Sequence, residues 1–196
     1  MKARKWGMAK TYIALCSTSS AGKGVVATMI QQLLEGRKTV SIHRYSDSLS
    51  YICQYLGQPN TKSALQKLSQ CLRQHVFEDE TLLGKAIRMR ADESPADVVV
   101  LDGARRVEDL EHFSDIPVTI ISIDAPVEKR WEWQRNRTDR PHDTNDNFEA
   151  FLAREQFESE TQIATLARTA HFHIDNSGSL EDLKQKVQSV LLAIGL

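Results

Sequence analysis

The segment Asp97-Val-Val-Val-Leu-Asp102 constrains the fold more than any other part of the chain. A strand with one wet face alternates apolar and polar residues. An unbroken β-branched run belongs where both faces are covered, at the centre of a parallel sheet with helices on each side. Pro117-Val-Thr-Ile-Ile-Ser-Ile123 is a second such run. Shorter strand-like pieces lie at Tyr12–Cys16, Thr39–His43 and His171–Ile174. Between them apolar residues recur at helical spacing: Val25–Leu34, Leu49–Leu56, two helices within 61–90, Val127–Arg135, one long helix over 148–167, and a final helix from Leu180 to about Leu192. The alternation predicts an α/β domain with a five-stranded parallel sheet, residues 8–196 forming one unit. Residues 1–7, ahead of Met8, are expected to be disordered and to add nothing to the fold.

The first strand runs directly into Ser17-Thr-Ser-Ser-Ala-Gly-Lys-Gly24 and then into a helix. That is where the phosphate-binding pattern GxxxxGK[ST] belongs. Small residues let backbone N–H groups curl around an anion, the helix N-terminus adds partial positive charge, and Lys23 adds a point charge. Ser19, Ser20, Ala21, Gly22, Lys23, Gly24 and Val25 are therefore the candidate phosphate-binding residues. Ser17 stands in place of the first glycine and Gly24 in place of the hydroxyl residue, so a direct metal-binding hydroxyl is lost there. The competing reading is a tight turn with a solvated lysine.

Two acidic positions follow strands. Asp102 ends the most apolar strand, beside the loop if the sheet is doubly wound, where a carboxylate can hold a magnesium-bound water; otherwise it opens a turn with Gly103. Asp47 follows the second strand in Ser46-Asp47-Ser48 and either meets a bound ligand, where it would orient or deprotonate a hydroxyl or else bind sugar or metal, or caps the next helix, for which Ser46 is also a candidate. Arg44, Arg73, Arg88 and Arg90 are further candidates to grip an acceptor. Tyr51, Tyr55 and Phe77 could stack a base or fill a core.

Lys+Arg 25 against Asp+Glu 26 leaves a net charge of -1, which offers no bulk field for a nucleic-acid backbone or an anionic membrane. Action on nucleic acid would need a local basic groove. No apolar run approaches the roughly 20 residues that span a bilayer, so a cytoplasmic monomer or homodimer is expected. Cys16, Cys53 and Cys71 lack disulfide or zinc spacing and read as reduced, mostly buried thiols. His171 and His173 share a strand face without further ligand-type residues at metal spacing.

Ala21-Gly-Lys-Gly24, the acidic turn at Asp47, Asp102-Gly-Ala-Arg-Arg106, an arginine-rich polar stretch and Asp175-Asn-Ser-Gly-Ser-Leu180 together resemble the P-loop nucleotide kinases. The likeness is to the adenylate kinase, dephospho-coenzyme A kinase and deoxynucleoside monophosphate kinase group, and to an archaeal dephospho-coenzyme A kinase-related family. It implies a three-layer fold with strand order 2-3-1-4-5, a helical acceptor-binding insertion at about 47–92 and a lid at about 136–147. It also implies ATP and Mg2+, with transfer of the γ-phosphoryl group to a (deoxy)nucleoside monophosphate. The alternatives are a hydroxyl acceptor, with Asp47 as base, and a non-catalytic ATP-binding module. By the same resemblance Arg106, with Arg105 beside it, would grip the acceptor's phosphate. Arg137 and Arg140, then Arg135, would close over the transferring group, where planar guanidinium forks neutralise charge spread over three oxygens. Asn176 would touch the base; a capped helix start explains it equally well.

Overall fold

The structure, a computed structural model, describes residues 10–136, 147–154 and 158–196. The segment 1–7 and most of the expected lid, including Arg137 and Arg140, lie outside the described residues. Five strands, β1 (Thr11–Ser17), β2 (Val40–Arg44), β3 (Val98–Asp102), β4 (Val118–Asp124) and β5 (Phe172–Asp175), form one sheet in the order β2-β3-β1-β4-β5. Every pairing is parallel. Helices α1 (Lys23–Leu34) and α8 (Leu180–Ala193) cover one face; α4 (Leu82–Glu93), a 3-10 turn (Glu108–Phe113) and α7 (Glu158–Arg168) cover the other.

All five residues of β3 are buried, as an unbroken apolar run requires. Its side chains divide between two cores: Val98 and Val100 meet Ile30, Leu34 and Val187 on one face, while Val99 and Leu101 meet Ile87, Phe113 and Leu166 on the other. Fully burying each such side chain contributes about 1.5–3 kcal/mol, so the sheet centre is the rigid part of the molecule. Cys16 lies in the second core, where burial pushes its thiol up to about 11. Cys53 is also buried and Cys71 is exposed, all three as free thiols.

The register aligns the chemistry. Asp102 pairs with Leu15 of β1 and with Arg44 of β2, so three C-terminal strand ends meet at one edge. Beyond β2 come α2 (Asp47–Tyr55), α3 (Lys62–Cys71) and a π-helical turn (Leu72–Val76) that leads towards α4. Leu49, Cys53 and Leu65, backed by Leu68, Leu72 and Leu83, give this region its own small core. Buried Gly84 lets α4 approach the 3-10 turn: a Cβ there would lie 2.5 Å from the Asp109 carbonyl oxygen.

The expected helix 148–167 is helical wherever it is described, as α6 (Phe148–Arg154) and α7, with 155–157 outside the described residues. Several local expectations are corrected. Ser46 is the residue before α2 but makes no side-chain cap, because its backbone is already in the helical region rather than the extended one a capping residue adopts. Tyr51, Tyr55 and Phe77 fill no core but are exposed, with Tyr51 and Tyr55 stacked on each other. Trp131 and Trp133 of α5 (Val127–Arg135) are both half-buried. His171 uses its ring Nδ1 to accept from the Ile120 N–H, 3.0 Å away, prolonging the β4–β5 ladder. Among the described residues no cluster of His, Cys, Asp and Glu could hold a metal, and no helix is long and apolar enough to cross a membrane.

Candidate active site

The loop after β1 turns through Ser20 (φ 62) and Gly22 (φ 95), both in the left-handed region. Gly22 sits at the N-cap of α1 with no side chain to cap it, which leaves the first-turn N–H groups for an anion. A glycine is required here twice over. The backbone angle is left-handed, and a Cβ would come 2.4 Å from the Asn176 amide nitrogen. Asn176, 8% exposed, donates that amide to the Ala21 carbonyl at 3.0 Å. It thus ties the end of β5 to the loop, and the capping of α8 falls to Ser179, which forms a capping box with Asp182.

The loop is braced from several sides. Arg130 of α5, 5% exposed, donates to the Ala125 carbonyl at 3.0 Å and to the Ser19 carbonyl at 3.1 Å. Ser20 donates to Gln134 of α5 at 3.3 Å, and Lys62 of α3 donates to the Ser19 hydroxyl at 2.8 Å. At its far end Lys23 reaches Asp102 at 2.5 Å; the other Asp102 oxygen accepts from Arg44 Nε at 3.3 Å. Asp102 is 3% exposed, so its charge is viable because two cations share it. Gly24 and Val25 are exposed, and the Thr28 hydroxyl is turned back onto the Gly24 carbonyl at 3.1 Å.

The loop opens on a cleft of about 1170 Å³ that runs towards the helical insertion. That exceeds the roughly 300–1,000 Å³ of a site for one small ligand, enough for a donor and an acceptor together. Seven Lys or Arg and three Asp line it, so the cleft is cationic although the chain is not. Arg73 and Arg106, 3% and 4% exposed, converge on one carboxylate, that of Glu80. Arg106 also donates to the Glu80 carbonyl at 2.6 Å and to Asp109 at 3.0 Å. Asp109 in turn accepts the backbone N–H groups of Arg105 and Arg106, and its carbonyl takes the buried Tyr45 hydroxyl at 2.9 Å. Burial pushes the Glu80 carboxyl up, but the adjacent Arg73 and Arg106 guanidiniums outweigh it and hold it below the ordinary glutamate value.

The structure thus brings Lys23, Asp102, Arg105, Arg106, Asp47 and Asn176 to one cleft together with the loop. Asp47 is at its rim, 3.4 Å from the Arg44 N–H and 3.3 Å from the Arg90 guanidinium. Of the arginines left unranked by sequence, Arg73 lines the cleft, whereas Arg88 is spent on Asp92 and Asp115. Arg135 is exposed, 5.9 Å from the centre of the Trp131 ring, and does not line the cleft. Glu80, Lys62 and Gln134 were not marked by any sequence pattern; the one local signal is a lysine opening α3, where the helix dipole favours acids.

The five-stranded parallel sheet and its order match the fold of solved kinase structures. A shikimate kinase from Bacteroides thetaiotaomicron matches with a TM-score of 0.62 at 12% identity, covering 95% of this chain and 99% of that one. A gluconokinase from Sinorhizobium meliloti matches at 0.51 with 16% identity, covering 94% and 93%. By sequence the chain is similar to a UPF0200 protein of Sulfurisphaera tokodaii, 26% identical over 183 residues, 93% of this chain and 96% of the relative. It is also similar to a UPF0200/UPF0201 protein of Archaeoglobus fulgidus, 30% identical over 100 residues, half of this chain but only 30% of the relative's length. No family model matches the sequence.

Proposed function

We propose that the protein transfers the γ-phosphoryl group of ATP to a small nucleotide-like acceptor, a (deoxy)nucleoside monophosphate. One observation carries this reading: a single cleft holds both the phosphate loop with Lys23 and a buried guanidinium pair, Arg73 and Arg106. An acceptor phosphate is already a nucleophile at neutral pH and needs no base. It needs cations that offset repulsion between two polyanions and fix them in line. Arg73 and Arg106 supply that charge, and Glu80, 45% exposed, can swing aside for the incoming phosphate. Lys23 exchanges Asp102 for the ATP phosphates.

Mg2+ fits this site as an ion carried mainly by the phosphates, because Gly24 and Val25 offer no hydroxyl and Thr28 is bonded to its own helix. Asp102, released by Lys23, is the residue that would hold it through water. When bound, the ion would neutralise charge on the phosphates.

A hydroxyl acceptor is the second reading. It is favoured by Asp47, whose carboxylate stands at the cleft rim, and by a shikimate kinase and a gluconokinase sharing the fold. The two differ in product: a monophosphate yields an acid-labile phosphoanhydride, a hydroxyl an acid-stable phosphate ester. Incubation with ATP, Mg2+ and a panel of nucleoside monophosphates, nucleosides and dephospho-coenzyme A, read by phosphorus NMR, tests the reading. An anhydride resonance on a monophosphate is the expected result. An ester resonance transfers the role of base to Asp47, and ATP binding without any product leaves a nucleotide-gated module.

A further inference from the structure

The helical insertion sends one side chain across the cleft onto the phosphate loop. Lys62, the first residue of α3, donates its ammonium to the Ser19 hydroxyl at 2.8 Å and lines the same cleft as Lys23. Its position is not explained by helix stability. The N-terminal turn of a helix carries partial positive charge and favours acids, yet α3 has none there and opens on a lysine. The backbone that bears Lys62 is held in place, since Thr61 caps α3 by accepting the Ala64 N–H at 3.1 Å. Ser19 is fixed as well, its carbonyl gripped by buried Arg130. An anionic phosphate oxygen brought to this loop is a strong, charge-assisted partner for the Lys62 ammonium.

We propose that Lys62 is a second phosphate-binding lysine that contacts the terminal phosphate of the bound nucleotide, delivered by the acceptor-side insertion rather than by the loop itself. The inference rests on the phosphate-loop reading and adds a residue and a specificity to it. Lys62 makes the site prefer a triphosphate over a diphosphate, and it ties the acceptor-side helices to the state of the donor. During transfer the bond between the γ-phosphorus and the ADP oxygen breaks and a bond to the acceptor oxygen forms. Lys62 stays protonated throughout and acts as charge alone, while a hydroxyl acceptor's proton would go to Asp47.

Nucleotide affinity tests this without any acceptor. ATP and ADP dissociation constants, each with Mg2+, are measured by calorimetry for the wild-type chain, Lys62→Ala, Lys62→Arg and Lys85→Ala, the last removing an exposed lysine of α4 as a charge control. In Lys62→Ala the preference for ATP over ADP is expected to fall by about tenfold, the size of one charge-assisted hydrogen bond. Lys62→Arg keeps most of the preference and Lys85→Ala keeps all of it. Equal weakening of ATP and ADP, or no change in either, overturns the proposal. If Lys62→Ala melts early, Lys62→Gln, which retains most of the stem and removes the charge, makes the same comparison. A wild-type chain that binds neither nucleotide overturns the phosphate-loop reading itself, which separates the two failures.

Discussion

Gly84→Ala gives a case in which structure reverses the sign that helix propensity predicts. Replacing a helical glycine by alanine ordinarily stabilises by about 0.8–1 kcal/mol. At position 84 the new Cβ would lie 2.5 Å from the Asp109 carbonyl oxygen, 3.0 Å from its carbonyl carbon and 3.3 Å from its Cα. All three are backbone atoms, so no side chain can rotate away. Restoring an ordinary contact requires α4 and the 3-10 turn to separate by about 0.9 Å, from 2.5 to 3.4 Å. That movement strains the buried Tyr45 hydroxyl bond to the same carbonyl and shifts the Asp109 carboxylate that orients Arg106. Overpacking of this kind costs about 1–3 kcal/mol. Set against the propensity gain, the expected net loss is up to about 2 kcal/mol, or up to roughly 8 °C in melting temperature for a chain of this size. Urea unfolding followed by circular dichroism measures it. Binding of acceptor should weaken while ATP affinity holds, because α1 packs in the core on the other face of the sheet from α4. A more stable variant with unchanged acceptor binding would refute the packing argument.

Asp47→Asn should lower turnover by about 100-fold or more if the acceptor is a hydroxyl, and by only a few-fold if it is a phosphate, which needs no base; steady-state rates with each acceptor class decide this. The Glu80 brace predicts a pH dependence. Its folded carboxyl lies below its ordinary value of 4.5, so its contribution is complete above that value and is lost as pH falls through the folded one. The urea midpoint of wild type should therefore exceed that of Glu80→Gln at neutral pH, and the gap should narrow as the pH is lowered into the acid range; a gap that does not change with pH would exclude the brace.

The sheet was legible because its signals are local and redundant. Val98–Leu101 cannot be a half-wet strand, and the small residues after Cys16 mark where the first strand gives way to a loop, one residue beyond the expected end. The strand order came through resemblance, since periodicity says nothing about which strands are neighbours. The site was legible at Lys23, Asp102 and Asp47, which sit at strand ends or helix starts where the pattern marks them. It was illegible where function depends on distant pairs. Nothing near Asn176 shows that its amide will hold Ala21, 155 residues earlier. Nothing near Glu80 shows that Arg73 and Arg106, from separate elements, will meet there. Aromatic spacing misled in the other direction: Tyr51 and Tyr55 fit a core stripe, but α2 buries Leu49 and Cys53 instead and leaves the two rings stacked in solvent.

The most direct test of the phosphate-loop assignment is transfer from ATP labelled at the γ-phosphate, with Mg2+ and the acceptor panel, comparing the wild-type chain with Lys23→Ala. Label should appear on an acceptor with the wild type, and removing the Lys23 charge should cut transfer by at least about 100-fold. Transfer at an undiminished rate in Lys23→Ala would contradict the assignment of this loop as the site that holds the phosphates.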